Sequence, residues 1–543
     1  MALRELMDLR RDAAEMCADL ARIELAFARG TPFPLTVPQV VSAHRLACSR
    51  DGLAQARETL PSAKSPGRAA RLASLRDFLV RARALELEPG AAQEALEIWR
   101  RPSVRLSGDP GLHGALPPIA VERDLPFVRE REKRADMESA LAAAERAASA
   151  GVRTALWEAA QAALSELERG DPADAAVALH ERGWSPKSPP ETSQPAAPAA
   201  LPPRAAPAPS SLVPAAAPPA LEQDAVTSAC NRFLRDTDAL ARDLGGWLIE
   251  RHTGARAAPG GAERHDLLHF LHAPRFAAAF PRGELLRTVR RWAAMLRLDL
   301  GAGGSVSLEE DERPLQPGGS RAVAVDPPHE VRIILRPAEG PRALATLLAS
   351  VGRAQLRAGP PPDAPPEDLW LGDAALEPAC GALLSGLVLD ATWLRRCAQA
   401  DLPRDDERAL AVAALLDARL DAARALGSLQ ALREGLGARA EQAYRELHAR
   451  AALADVPAAL AGRDLDPWLG PWGDLRGRAL AAHLRDFLRE RFDDDWWRNP
   501  RALPALQGLW ARGGRPTAVE LWAEAGGTPS LQPLNAELSR ACA

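Results

Sequence analysis

A proline-rich segment at residues 185–220 divides the chain and limits what either side of it can fold into. It holds 12 prolines in 36 residues and few charged residues. Proline has no backbone N–H, and this composition buries too little apolar surface to offset the entropy lost on ordering. We therefore expect a disordered, polyproline-like linker. The sequence predicts a helical N-terminal lobe at 1–184 and a second folded region at 221–543.

Both regions carry the apolar spacing of amphipathic helices. Leu6, Leu9, Ala13 and Met16 recur every three or four residues, and similar patterns resume after the linker. Short β-rich runs bounded by proline and glycine interrupt the second region. These runs are 305–308, 321–325 and 331–335. The pattern predicts a mainly α fold with one small β-sheet at about 303–336.

Three breaks in the helical pattern indicate other local structure. An extended segment or hairpin is predicted near Leu116-Pro-Pro-Ile-Ala, because two successive prolines cannot continue a helix. Loops are predicted at 359–367 and at 463–473, where glycine and proline accumulate.

Charge and cysteine usage exclude several classes of protein. The 68 basic and 72 acidic residues give a net charge of −4, without the basic excess of a general nucleic-acid binder. Six cysteines without a CxxC pair favour a reducing compartment. The longest apolar stretch, near Ala379–Leu389, is about half of what a bilayer requires. We expect a cytoplasmic protein that binds neither nucleic acid nor membrane.

The familiar catalytic motifs HExxH, GxSxG, the P-loop and GxGxxG after a strand do not occur. One cluster could hold a metal: His265, His269 and His272 share a helix face, with Asp266 beside them. Leucine and phenylalanine fill the rest of that helix, which favours a structural role. A metal site on the three histidines stays open as an alternative.

A series of short motifs follows the predicted sheet in a characteristic order. The series comprises Val331-Arg-Ile-Ile-Leu-Arg-Pro, a helix from Arg342, Leu371-Gly-Asp, Asp390-Ala-Thr-Trp-Leu, Tyr444-Arg-Glu-Leu-His, Asp464-Leu-Asp-Pro, Leu475-Arg-Gly and Asp494-Asp-Trp-Trp-Arg-Asn-Pro. In order and spacing, residues 222–543 resemble the thimet oligopeptidase/oligoendopeptidase family of zinc metallopeptidases. Leu116-Pro-Pro-Ile and Arg131-Glu-Lys-Arg-Ala extend the resemblance to the first half.

The resemblance implies a two-lobed helical shell around a deep channel. In that family, zinc is held by an HExxH helix and by a glutamate on the next helix. A glutamate activates the zinc-bound water, and downstream tyrosines stabilise the oxyanion.

Placing the family motif on this chain leaves its chemistry missing. In Ala349-Ser-Val-Gly-Arg353, Gly352 matches the glycine of the family's HExGH motif and sets the alignment. Ala349, Ser350 and Arg353 then replace histidine, glutamate and histidine. Pro378 occupies the position of the glutamate that is the third zinc ligand in the family. The neighbouring Glu377 is rotated by about 100° around the helix from that position. Gly470 and Asp474 stand where the tyrosines would be.

The substitutions predict no catalytic residue, no bound metal and no other cofactor. We expect Arg353 to pair with Glu377 or Asp373 and to fill the place of the metal. The residues expected to line the channel are Ser350, Arg353, Glu377, Gly470 and Asp474.

The resulting hypothesis is a catalytically inactive peptidase homologue that binds or scaffolds a peptide, a protein or an active paralogue. Two alternatives stay open at this point. One is an active metal-dependent hydrolase with its site relocated to His265, His269 and His272. The other is a purely structural helical protein whose channel has collapsed.

Overall fold

The computed structural model describes residues 2–63, 65–106, 115–168, 170–180, 223–256, 261–336 and 338–543. The predicted linker at 185–220 lies outside these residues. Within them, no helix has the length and apolarity required to cross a bilayer.

Helices make up most of the described part of the first 180 residues. They are α1 (Ala2–Arg29), α2 (Val37–Ala43), α3 (Arg45–Cys48), α4 (Arg50–Thr59), α5 (Pro66–Leu87), α6 (Pro89–Ile98), α7 (Pro118–Asp124), α8 (Arg131–Ala148), α9 (Ala150–Ser165) and α10 (Pro172–Ala178). The predicted apolar face of α1 is confirmed, because Leu6, Leu9, Ala13 and Met16 are all buried. The predicted extended segment is confirmed only at its start: Leu116 forms an antiparallel bridge with Val104, but α7 already begins at Pro118.

Helices also dominate the region after the linker. They are α11 (Gln223–Asp236), α12 (Asp238–Leu240), α13 (Gly246–Thr253), α14 (Arg264–His272), α15 (Leu285–Leu296), α16 (Pro341–Ala358), α17 (Pro366–Trp370), α18 (Leu376–Ser385), α19 (Ala391–Trp393), α20 (Arg404–Glu434), α21 (Ala438–Ala452), α22 (Ala461–Asp464), α23 (Gly470–Phe492), α24 (Leu503–Trp510), α25 (Ala518–Glu524) and α26 (Gln532–Cys542). The long helix α20 is buried on most of its circumference between Ala409 and Leu432. Its many alanines allow neighbouring helices to pack closely around it.

The predicted small sheet is present. Its strands are β1 (Val306–Glu310), β2 (Arg321–Asp326) and β3 (Glu330–Leu335), in the order β1-β3-β2. Strand β3 pairs parallel to β1 and antiparallel to β2. The buried side chains Val331, Ile333 and Leu335 alternate along β3, as expected for a strand with one face on the core. In the chain, β3 is the last strand before α16.

One hydrophobic core joins the two regions of the chain, because its buried residues run from Leu6 to Cys542. Helix α17 adds polar attachments: Arg10 of α1 donates to Glu367 at 2.7 Å, and Arg71 of α5 donates to Asp368 at 2.7 Å. Both carboxylates are almost fully buried, so their arginine partners offset a large desolvation cost.

The predicted loop at 463–473 is wrong at both ends. Helix α22 continues to Asp464, and α23 begins at Gly470. The carboxylate of Asp466 accepts hydrogen bonds from the backbone N–H groups of Trp468 at 3.0 Å and Gly470 at 2.8 Å, which tightens the connection into a short turn. Asp474 therefore lies on a helix and not in a loop. The loop predicted at 359–367 ends two residues early, since α17 begins at Pro366.

Candidate functional site

The helices α16 and α18 cross in backbone contact at two glycines. A Cβ atom on Gly352 of α16 would lie 2.1 Å from the carbonyl oxygen of Cys380 in α18. A Cβ atom on Gly381 would lie 3.1 Å from Nε of Arg353. Only glycine permits this approach. The crossing explains the glycine that sets the register of the motif, and it holds the flanking residues of α16 against α18.

The three substituted motif positions offer no metal ligand. Ala349 carries only a methyl group, and the hydroxyl of Ser350, which is 3% exposed, donates to the carbonyl oxygen of Thr346 at 2.9 Å. Arg353 is half-buried and brings a permanent cation. Zinc in peptidases requires imidazole, carboxylate or thiolate ligands. These residues do not fit the ion that the family resemblance implies.

Glu377, and not Pro378, is the residue of α18 that faces α16. Pro378 lies against α23, where a Cβ atom on Gly477 would be 2.6 Å from the proline Cβ. The carboxylate of Glu377 accepts a hydrogen bond from Arg357 at 2.7 Å. Burial opposes its ionisation, but Arg357 and Arg353 outweigh this, so the pKa of Glu377 lies below its usual value.

The predicted pairing of Arg353 with Glu377 or Asp373 is wrong. Glu377 is held by Arg357, one helical turn further along α16. Asp373 forms an ion pair with Arg476 at 3.3 Å, and its carboxylate also accepts from the backbone N–H of Ala518 at 3.0 Å. Sequence reasoning identified the correct region but could not distinguish Arg353 from Arg357.

Asp474 is linked to Arg353 through charge, with no hydrogen bond or ion pair between them. The aspartate is half-buried on the second turn of α23. Burial raises its pKa, and the positive charges of Arg478 and Arg353 only partly offset the effect. Gly470, also expected in the channel wall, begins the same helix. Arg353, Glu377 and Asp474 thus come from three helices and interact electrostatically.

A second group of charges lies on α20 and α23. Arg478 donates to Asp421 at 2.8 Å, and Arg342 of α16 donates to Asp417 at 2.7 Å. Burial raises the pKa of Asp421 to about 6. Each of these carboxylates has a guanidinium partner, whereas Asp474 has none among the residues that the structure describes.

The three histidines of α14 take separate partners and do not converge. Nδ1 of His265 lies 3.2 Å from Glu138, whereas Nδ1 of His269 donates to the carbonyl oxygen of Pro126 at 2.8 Å. His272 packs edge to face on Phe127, and burial lowers its pKa to about 3. The shared helix face was predicted correctly, but each ring meets a different neighbour.

Two other groups of side chains in the described residues place three ligand atoms within 4.8 Å of one another. These groups are Asp12, Glu15 and His44, and Glu138, Glu263 and His265. In the second group, Oε1 of Glu138 accepts from Arg264 at 3.1 Å, and Oε2 accepts from the backbone N–H of His265. The neighbouring Asp266 is paired with two further arginines. Arg264 thus neutralises Glu138, and the guanidinium groups around Asp266 add positive charge next to the group, which disfavours a bound cation.

The first group is equally occupied. His44 places Nδ1 3.0 Å from Asp12 and Nε2 3.1 Å from Asp19. Burial opposes protonation of the ring, but the two carboxylates outweigh it, and the pKa of His44 is raised. A protonated imidazole donates from both nitrogens and has no lone pair for a metal.

The single tyrosine of the chain is part of a buried ionic network. The hydroxyl of Tyr444 donates to Asp464 at 2.6 Å, and Arg463 donates to the other oxygen of that carboxylate at 2.7 Å. Burial raises the pKa of Tyr444 well above its usual value. The phenol therefore acts as a neutral donor that holds α21 to α22.

A cavity of about 430 Å³ lies next to the first half of α16. Its walls come from both regions of the chain: Phe27, Trp99 and Phe127 precede the linker, and His272 and Thr346 follow it. Its volume is within the range of ligand sites. The sequence analysis did not predict this cavity. The available signal was the position of its wall residue Thr346, which precedes Arg353 by seven residues and therefore lies on the same helix face.

Comparisons with known proteins give a structural result only. No protein-family model and no curated protein sequence matches the chain.

Solved structures do match over nearly the whole length. The M32 carboxypeptidase from Deinococcus radiodurans R1 is 14% identical over 100% of this chain and 99% of its own, with a TM-score of 0.56. The Trypanosoma cruzi metallocarboxypeptidase 1 is 13% identical over 99% of each chain, with a TM-score of 0.55. A Bacillus anthracis protein assigned as an oligoendopeptidase F is 12% identical over 91% of this chain and 83% of its own, with a TM-score of 0.56. This chain therefore has the helical metallopeptidase fold.

Proposed function

We propose that this protein is an inactive relative of helical metallopeptidases that binds an extended peptide or protein segment beside α16. The observation that carries the proposal is the pair Ala349 and Arg353 at the two histidine positions of a helix whose register is set by Gly352. A methyl group and a guanidinium cannot hold zinc, and Ser350 cannot act as the general base. The similarity in fold to solved metallopeptidases supports a common ancestry with them.

The cavity beside α16 supports binding as the retained activity. It is apolar over most of its surface, with Phe27, Trp99 and Phe127 in its wall. Its charged wall residues have partners, as in Arg342 with Asp417 at 2.7 Å. Such a cavity suits an apolar side chain of a ligand. The solved structures of similar fold include carboxypeptidases and a peptidase bound to an inhibitor, which also favours a peptide as the ligand class.

The first experiment separates binding from hydrolysis. The full chain is incubated with a quenched fluorescent peptide library, with added zinc and with a chelator, and its metal content is measured. We expect no cleavage under either condition and no stoichiometric metal. Stoichiometric zinc together with chelator-sensitive cleavage would refute the proposal. It would favour a hydrolase with a relocated site, for which Glu138, Glu263 and His265 are the group to substitute.

The second experiment locates the binding site. Peptides from the same library, without the quencher, are titrated against the chain by fluorescence polarisation. Ala343→Trp places an indole in the cavity wall and is expected to weaken binding at least tenfold. The matched control Ala143→Trp adds the same group at an exposed position of α8 and should not change affinity. Lack of binding by the unsubstituted chain would favour a purely structural protein.

A further inference from the structure

A cavity of about 340 Å³ lies between helices α18, α23, α24 and α25. It shares no wall residue with the cavity beside α16, so it is a separate site. Apart from Arg512 and Glu524, its wall consists of leucine, phenylalanine, alanine and glycine. The volume is at the lower end of the range for small-molecule sites. A largely apolar ligand of modest size therefore fits this space.

Small residues of α24 keep the cavity open to solvent. Ala505 and Gly508 are both exposed, and a Cβ atom on Gly508 would meet no atom within 4 Å. The larger wall residues Leu484, Phe487 and Leu509 are only half-buried. A ligand seated in the cavity removes their remaining apolar surface from water, which favours binding.

One ion pair supplies the charge in the cavity wall. Nη1 of Arg512 lies 2.5 Å from a carboxylate oxygen of Glu524. The arginine side chain is 22% exposed and the glutamate side chain 55% exposed, so the guanidinium is the more enclosed of the two charges. No described residue accepts a hydrogen bond from Nε or Nη2 of Arg512. An ion pair with so exposed a carboxylate contributes little, and Glu524 can leave it at small cost.

We propose that this cavity binds an aliphatic carboxylic acid. Its alkyl chain lies among Leu383, Phe487 and Leu509, and its carboxylate takes the place of Glu524 on the terminal nitrogens of Arg512. An aliphatic alcohol buries the same chain but cannot replace the carboxylate. An aliphatic amine has to displace Arg512, the more enclosed charge, before it can pair with Glu524.

Isothermal titration calorimetry of the full chain with octanoate, octanol and octylamine tests the ligand class. We expect octanoate to bind at least tenfold more tightly than octanol, and octylamine not to bind, because hydrogen bonds between charged groups account for about that factor. Arg512→Met keeps an apolar stem and removes the charge. It should weaken octanoate binding about tenfold and leave octanol binding unchanged. Arg501→Met, at an exposed position, is the matched control and should change neither.

Glu524→Gln tests the exchange of carboxylates. Loss of the competing charge should strengthen octanoate binding about two- to fivefold, the factor that corresponds to an exposed ion pair. Glu434→Gln removes a charge at another exposed position and should have no effect. Weaker octanoate binding in Glu524→Gln would contradict the exchange, since it would show that the glutamate assists the ligand.

A third pair of variants locates the site. Ala505→Trp places an indole in the cavity wall and should abolish octanoate binding, whereas Gln507→Trp, on the same helix but outside the wall, should not. Unchanged affinity in Ala505→Trp or in Arg512→Met would overturn the proposal, as would tighter binding of octylamine or no binding by the unsubstituted chain. Peptide binding beside α16 is unaffected by any of these results. Far-UV circular dichroism establishes that each variant is folded, and a misfolded Arg512→Met leaves Glu524→Gln and Ala505→Trp to decide.

Discussion

The contact between α16 and α18 makes a sharp prediction for Gly352→Ala. The added Cβ atom would lie 2.1 Å from the carbonyl oxygen of Cys380, whereas ordinary contacts begin near 3.4 Å. The two backbones must therefore separate by about 1.3 Å along that line. The obstacle is backbone, so no side-chain rotation can relieve it.

The magnitude follows from two opposing effects. Overpacking a close-packed site costs about 1–3 kcal/mol and more when backbone must move. Alanine in place of glycine in a helix returns about 1 kcal/mol. Because separating the helices also loosens the neighbouring core, we expect the free energy of unfolding to fall by at least about 2 kcal/mol.

Urea denaturation followed by circular dichroism measures this loss, with Gly508→Ala as the matched control. Gly508 lies within α24, and a Cβ atom there would meet no atom within 4 Å. The control should therefore gain up to about 1 kcal/mol. A Gly352→Ala variant as stable as the unsubstituted chain would refute the argument from the helix crossing.

Three further predictions concern separate groups. The triple variant Ala349→His, Ser350→Glu and Arg353→His restores the residues of the family's zinc motif. It should not cleave a quenched peptide in the presence of zinc, because the remaining motif positions also differ. Measurable turnover would contradict the assignment of those positions. The His44 pKa is raised by its carboxylate partners, so its stabilising charge is complete below about pH 6.5 and is lost as pH rises through the higher folded-state value. The difference in unfolding free energy between wild type and His44→Gln should therefore shrink from pH 6 towards pH 9, and a difference independent of pH would contradict this. Tyr444→Phe removes a 2.6 Å hydrogen bond to a buried carboxylate and should lower the free energy of unfolding by about 1.5–3 kcal/mol in urea; no loss would show that the bond does not contribute.

Local patterns in the sequence were sufficient for the elements of the fold. Leu344, Leu347, Leu348 and Val351 have the three-to-four spacing of one helix face, which can be read from the sequence, and all four are at most 3% exposed on α16. The sheet was equally predictable, because strand period and turn residues act over a few neighbouring positions. The turn at Asp466 was missed, since its side-chain caps depend on exact geometry that residue type only suggests.

The candidate site divides in the same way. Residue identity alone establishes that Ala349 has no ligand atom and that Arg353 is always charged, and neighbouring structure cannot change either property. The ion-pair partners required the tertiary structure, in which Arg357 pairs with Glu377 and Nε of Arg353 has no hydrogen-bond partner. The cavity also required it, because its walls join residues more than 300 positions apart. Charge and chain periodicity are local properties, whereas pairing and enclosure depend on how distant helices cross.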